Sequence, residues 1–208
     1  MSGPLLAADA PPLILASGSA ARAALLRAAG LDFTVVRALV DEAALRDALR
    51  AEGVPAVDAA VALAEMKARH VVARAPLEAM VLGADQLLEL DGEWLEKPSD
   101  LAAAATQLRR LRGRRHRLVS AVVAFRGGER VWHHAETATL DLRPFSDAFL
   151  ADYLAAAGPD ILGCMGAYQI EGLGLQLMAR VQGDHATILG LPLLPLLQAL
   201  RDQGVLAA

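Results

Sequence analysis

The stretch Leu13-Ile14-Leu15-Ala16-Ser17-Gly18-Ser19, continued by an Ala- and Leu-rich run from Ala20 to Ala29, decides the fold class. Four apolar residues suit a short buried strand, Ser17-Gly18-Ser19 ends it, and the following run reads as a helix closed by Gly30. The alternation continues outward. Residues 33–36 read as a second strand, and residues 42–52 and 57–73 as helices divided by Gly53 and Pro55. Residues 79–83 read as another buried strand running into Ala84-Asp85-Gln86. Asp91-Gly92 supplies a tight hairpin turn between residues 87–90 and 93–96.

A helix capped by Ser99 or Asp100 is predicted to reach Arg112. Long strands over 118–125 and 130–142 follow around Gly127-Gly128, then a helix from a Ser146 cap to Ala157. A Gly-rich stretch over 158–174 and a last helix over 193–201 complete the chain. Strands alternating with helices, plus a long hairpin, predict a mixed α/β architecture. No repeat and no long linker interrupts the sequence, so residues 1–208 read without a second, linker-separated domain, long enough for one full-sized domain or two compact lobes, with residues 1–11 flexible.

Composition narrows the function. Of 208 residues 55% are hydrophobic and 21% charged, which excludes a disordered chain. Cys164 is the single cysteine, which excludes a disulfide scaffold. Twenty Lys and Arg against 24 Asp and Glu give a net charge of -4, so no general nucleic-acid partner is expected. The start lacks the basic region of a signal peptide, and the apolar stretch over 189–200 is broken by Pro192 and Pro195. A cytoplasmic protein without a membrane partner is expected.

Three segments carry candidate chemistry. Ser17-Gly18-Ser19-Ala20-Ala21-Arg22 joins a strand to a helix, where free backbone N–H groups and the helix dipole favour an anion. Two hydroxyls and a guanidinium add donors for phosphate oxygens, although the same segment serves as an ordinary N-cap. Asp85, read as lying just past a strand's carboxyl end, suits a metal ligand or proton acceptor, or a turn aspartate. Asp41-Glu42 supplies further carboxylates. Lys67 and Lys97 are the only lysines beside eighteen arginines, a hint that a compact ammonium is wanted at each place. The cluster Arg109, Arg110, Arg112, Arg114, Arg115 and Arg117 suits either a solvated helix end or a polyanion-steering patch.

Taken in order, these segments resemble the Maf family of nucleoside triphosphate pyrophosphatases. The matching residues are Leu15-Ala16-Ser17-Gly18-Ser19 with Arg22, Asp41-Glu42, Ala64-Glu65-Met66-Lys67-Ala68, Gly83-Ala84-Asp85-Gln86, and Glu96-Lys97-Pro98. Gly113 with His116, Gly166-Ala167-Tyr168-Gln169-Ile170-Glu171-Gly172 and Gly190-Leu191-Pro192-Leu193 complete the set. The resemblance implies a two-lobed mixed-sheet α/β fold with a deep central cleft, as in the Maf and inosine-triphosphatase-like fold, and a homodimer. It implies hydrolysis of the α–β phosphoanhydride of nucleoside triphosphates, modified ones included, to monophosphate and pyrophosphate. The alternative is a non-catalytic nucleotide-binding regulator of septum formation.

By motif position, the resemblance makes Asp85 the general base and Glu42 with Asp85 the site of a divalent cation, Mg or Mn. It makes Ser17, Ser19, Arg22, Lys67 and Lys97 substrate contacts. Base choice falls to Ala21, Gln86 and Glu171. Gln86 and Glu171 match the branch acting on 7-methyl-GTP, whereas Ala21 stands where that branch carries Trp and so removes a stacking surface. The expectation is a relaxed preference leaning toward modified purines.

Overall fold

The computed structural model describes residues 5–207. A seven-stranded mixed sheet threads the chain: β1 (Leu13–Ala16), β2 (Thr34–Val35), β3 (Met80–Leu90), β4 (Glu93–Leu95), β5 (Arg115–Arg126), β6 (Glu129–Leu142) and β7 (Met178–Gln182). The order is β2-β1-β3-β5-β6-β7, with β4 paired to β3 off this path. Strand β1 is parallel to both β2 and β3, while β3–β4 and β6–β7 are antiparallel. The helices are α1 (Ala20–Ala28), α2 (Glu42–Ala51), α3 (Ala56–Val72), α4 (Leu101–Leu111), α5 (Asp147–Ala157), α6 (His185–Ile188) and α7 (Leu193–Asp202). Mixed α/β architecture is therefore what the sequence pattern forms.

The chain divides into two compact units. The first holds residues up to Asp85, Ser120–Glu136, and His185 onward. Its core gathers Leu15, Leu26, Met80, Leu82, Val122 and Leu196, all within a few per cent of full burial. Burial of this kind is worth roughly 1.5–3 kcal/mol per large side chain. In the stretch expected to be flexible, residues 1–4 lie outside the described residues. From there on, Ala207 N–H donates to Leu5 O, and Ala7 N–H donates to Val205 O.

The second unit holds Gln86–Val119 and Thr137–Asp184. Its helices α4 and α5 start at Asp100 and Ser146, whose side chains accept from Ala103 N–H and Phe149 N–H. Between α5 and β7 the chain runs through short 3₁₀ turns rather than long helices. Asp91 and Gly92 both take positive φ, 50° and 83°, as a two-residue hairpin demands.

Two local expectations change. Asp85 does not lie beyond a strand end: β3 is continuous through Gly83 and carries Asp85 at its middle. Strand β7 falls where the sequence offered only a Gly-rich stretch and the residues after it, because a short, mostly exposed strand has no apolar alternation to read. Among the described residues, no helix is long and apolar enough to cross a membrane.

Candidate active site

The first unit brings three of the sequence candidates into direct contact. Lys67 Nζ lies 2.6 Å from Asp85 Oδ1 and 2.7 Å from Glu42 Oε2. Lys67 and Asp85 are 7% and 5% exposed, so this ion pair is shielded from bulk water. Glu42 is half-buried.

Local sequence explains how these groups meet. Asp41 caps α2 through Ala44 N–H, which sets Glu42 on the first turn. Helix α3 approaches β3 at Gly83: a Cβ there would lie 2.2 Å from Ala64 O and 2.8 Å from Ala68 Cβ. The missing side chain lets the helix settle on the strand, with Ala64 and Ala68 facing it one turn apart. Lys67, between these alanines in sequence, thereby reaches Asp85, two residues beyond Gly83.

Arg22 and Ser17 form the adjoining wall. Arg22, 8% exposed, donates from Nε to Gly190 O at 2.8 Å, and from Nη1 to Ser17 Oγ at 3.0 Å and Ala84 O at 2.9 Å. Burial pulls this guanidinium below its ordinary pKa, and the charges of Asp85 and Glu42 oppose that pull. Arg22 thus ties the Ser17 loop to β3 and to the α6–α7 turn at Gly190. Ser17 Oγ also accepts Ser19 N–H, and Ser19 Oγ caps α1 at Arg22 N–H. Ala21, half-buried, follows on the same first turn.

The remaining candidates belong to the second unit. Gln86 is half-buried within β3, Lys97 is exposed after β4, and Glu171 is exposed among the 3₁₀ turns. The arginine cluster is also there, and each of its members pairs with an acid. Arg109 and Arg112 face Asp147, Arg110 faces Glu93, Arg114 faces Asp91, Arg115 faces Asp141, and Arg117 faces Glu89.

Several polar pairings of the same molecule were not expected from the sequence, although His116 and Tyr168 stand in its motifs. Arg46 Nη2 stands 3.9 Å from Glu42 Oε2, a pairing that i,i+4 spacing on α2 announces. Ser120 Oγ donates to Thr187 O at 2.7 Å, and Thr187 Oγ1 donates to Glu136 Oε2 at 2.9 Å, inside the first unit. No local motif signals that chain, since its members are far apart in sequence. In the second unit, buried His116 Nε2 lies 2.6 Å from Tyr168 Oη.

The donor set suits a hard divalent cation. Asp85 Oδ2 is buried and lacks a hydrogen-bond partner among the described residues, so one carboxylate oxygen remains available. No group of three or more His, Cys, Asp and Glu side chains forms a full metal cage among the described residues. Two carboxylates that share an ion with substrate oxygens and water match how Mg²⁺ is usually held.

The model of the Maf-like protein family matches residues 12–203. A nucleoside triphosphate pyrophosphatase of Rhodospirillum rubrum is 52% identical over 201 residues, covering 97% of this chain and 99% of that protein. A protein of the same name from Paramagnetospirillum magneticum is 52% identical over 193 residues, 93% of this chain and 99% of its own. A 7-methyl-GTP pyrophosphatase of Rhizobium meliloti is 49% identical over 198 residues, 95% and 99% of the two chains.

Proposed function

The chain belongs to the Maf-like protein family, and from that premise we propose that it is a nucleoside triphosphate pyrophosphatase releasing a nucleoside monophosphate and pyrophosphate. The observation that carries this reading is the convergence of Glu42, Lys67 and Asp85, with one Asp85 oxygen left unpartnered among the described residues.

Asp85 Oδ2 accepts the proton of the attacking water, a role that typically contributes about 10²–10⁴-fold. As the water oxygen bonds to phosphorus, the bond to the bridging α–β oxygen breaks, and pyrophosphate leaves with its electron pair. Lys67, held between two carboxylates, offers its ammonium to the triphosphate oxygens. Ser17 and Ser19 present the N-terminus of α1 to the same polyanion, and Arg22 fixes the loop that carries them. Glu42 and Asp85 would hold a Mg²⁺ or Mn²⁺ ion. When bound, such an ion supplies charge neutralisation and polarises phosphoryl oxygens.

Lys97 is assigned to the triphosphate on its Glu96-Lys97-Pro98 motif, and Gln86 and Glu171 to the base on theirs. With Ala21 in place of an aromatic, base preference is relaxed and leans toward modified purines, and the 7-methyl-GTP pyrophosphatase relative supports that leaning. The family resemblance also supports a homodimer in the cytoplasm.

The test is a panel of 7-methyl-GTP, dTTP, UTP and GTP incubated with Mg²⁺ and followed by phosphorus NMR. Monophosphate and pyrophosphate in equal amounts are expected. Orthophosphate as the first product would replace this reading with another phosphohydrolase, and no product at all would favour a binding regulator.

A further inference from the structure

We propose a second ligand site in the first unit, one that takes a small organic phosphate. A cavity of about 130 Å³ has Ile14, Val36, Val71 and Pro76 among its lining, with Arg37, His70 and Arg74 around them. None of Ser17, Ser19, Arg22, Glu42, Lys67 or Asp85 lines it.

The charge arrangement singles this place out. In a chain with more acids than bases, most arginine side chains meet a carboxylate or a carbonyl, including all six from Arg109 to Arg117. The side chains of Arg37, His70 and Arg74 make no hydrogen bond or ion pair among the described residues, and no carboxylate lines the cavity. Basic residues near a helix C-terminus commonly serve its last carbonyls. Here backbone does that work: Ala73, Arg74 and Ala75 N–H donate to Arg69, Val71 and Val72 O. The Arg37 and Arg74 guanidinium groups around an apolar floor are therefore, among the described residues, free for a ligand.

That combination selects for chemistry as well as charge. Guanidinium forks bind phosphate oxygens bidentately, and the floor takes a ring or short aliphatic body. A bare phosphate satisfies only the rim and an uncharged ring only the floor, so an organic phosphate is the class that uses both. Arg37 also packs its Nε against Gly18, where a Cβ would stand 2.9 Å away, so the rim touches the Ser17–Ser19 loop from outside.

The probe is phenyl phosphate titrated into the full chain and followed by amide chemical shifts, with inorganic phosphate and benzyl alcohol as separate arms. Shifts are expected at residues 36–37 and 70–76, with phenyl phosphate binding more tightly than either partial probe. The Arg37→Ala/Arg74→Ala double variant should weaken binding about tenfold or more, and Arg74→Ala alone, which leaves the Arg37–Gly18 contact in place, should weaken it about threefold or more while triphosphate hydrolysis stays within about twofold of wild type. The proposal is overturned if shifts appear only at residues 17–22 and 85. It is equally overturned if benzyl alcohol binds as well as phenyl phosphate, if the double variant binds unchanged, or if hydrolysis falls in step with binding.

Discussion

Lys67 balances two carboxylates, and removing its charge leaves Asp85 buried without the ammonium that contacts it. For Lys67→Met the expected cost is about 3 kcal/mol, the scale for breaking one side of a buried pair. Denaturant unfolding at neutral pH measures it, and a loss below about 0.5 kcal/mol would mean that the pair is solvated. His116 gives a second residue-level prediction. Burial holds its pKa at about 4, with the Asp141 charge opposing. The unfolded chain titrates near about 6.5 and so binds the proton more tightly. Stability is then full above pH ~6.5 and declines toward pH ~4, by up to about 3 kcal/mol. A His116→Gln variant should lack that part of the acid slope; an unchanged slope would assign it to other groups. Candidate residues were legible from motif alone in the segments holding Ser19, Glu42, Lys67 and Asp85. The Lys67 contacts were not, since nothing local records a meeting between α2, α3 and β3.

At the scale of elements, the seat of α3 on β3 depends on one absent methyl group. Gly83→Ala puts a Cβ into the Ala64 carbonyl, and backbone cannot move aside as a side chain does. A destabilisation of about 1–3 kcal/mol is expected, together with a fall in kcat as α3 carries Lys67 from Asp85. Thermal unfolding should show a Tm lower by roughly 2–12 °C, and a variant of unchanged Tm and kcat would contradict this seating. Gly83 also explains a misreading. In sequence it looks like strand-ending punctuation, whereas its role is close helix approach within an unbroken strand. Caps and the hairpin turn were readable because each is a local side-chain-to-backbone bond. Strand β7 was not, since edge pairing with β6 leaves no periodic burial. The arginines from Arg109 to Arg117 form exposed pairs, so Arg110→Ala should cost no more than about 1 kcal/mol. Its KM should stay within twofold of wild type, whereas a tenfold rise would place the cluster at the substrate.

Across the whole molecule, the groups that meet around Asp85 come from β1–α1, α2, α3 and β3, and the turn at Gly190 closes on Arg22. The mixed α/β class was legible because strand and helix periods alternate along the chain. Where the two units divide was not, because the first draws on three separate segments and the second on two, and β3, β5 and β6 each pass through both. The account rests on Asp85 as the group that takes the proton from water while other residues hold the triphosphate. Asp85→Asn keeps the size and removes the basic oxygen, so parallel measurement of turnover and nucleotide affinity tests it most directly. The prediction is a fall in kcat of about 10²-fold or more, with nucleotide Kd within about fivefold of wild type. Turnover within threefold of wild type in that variant would contradict it.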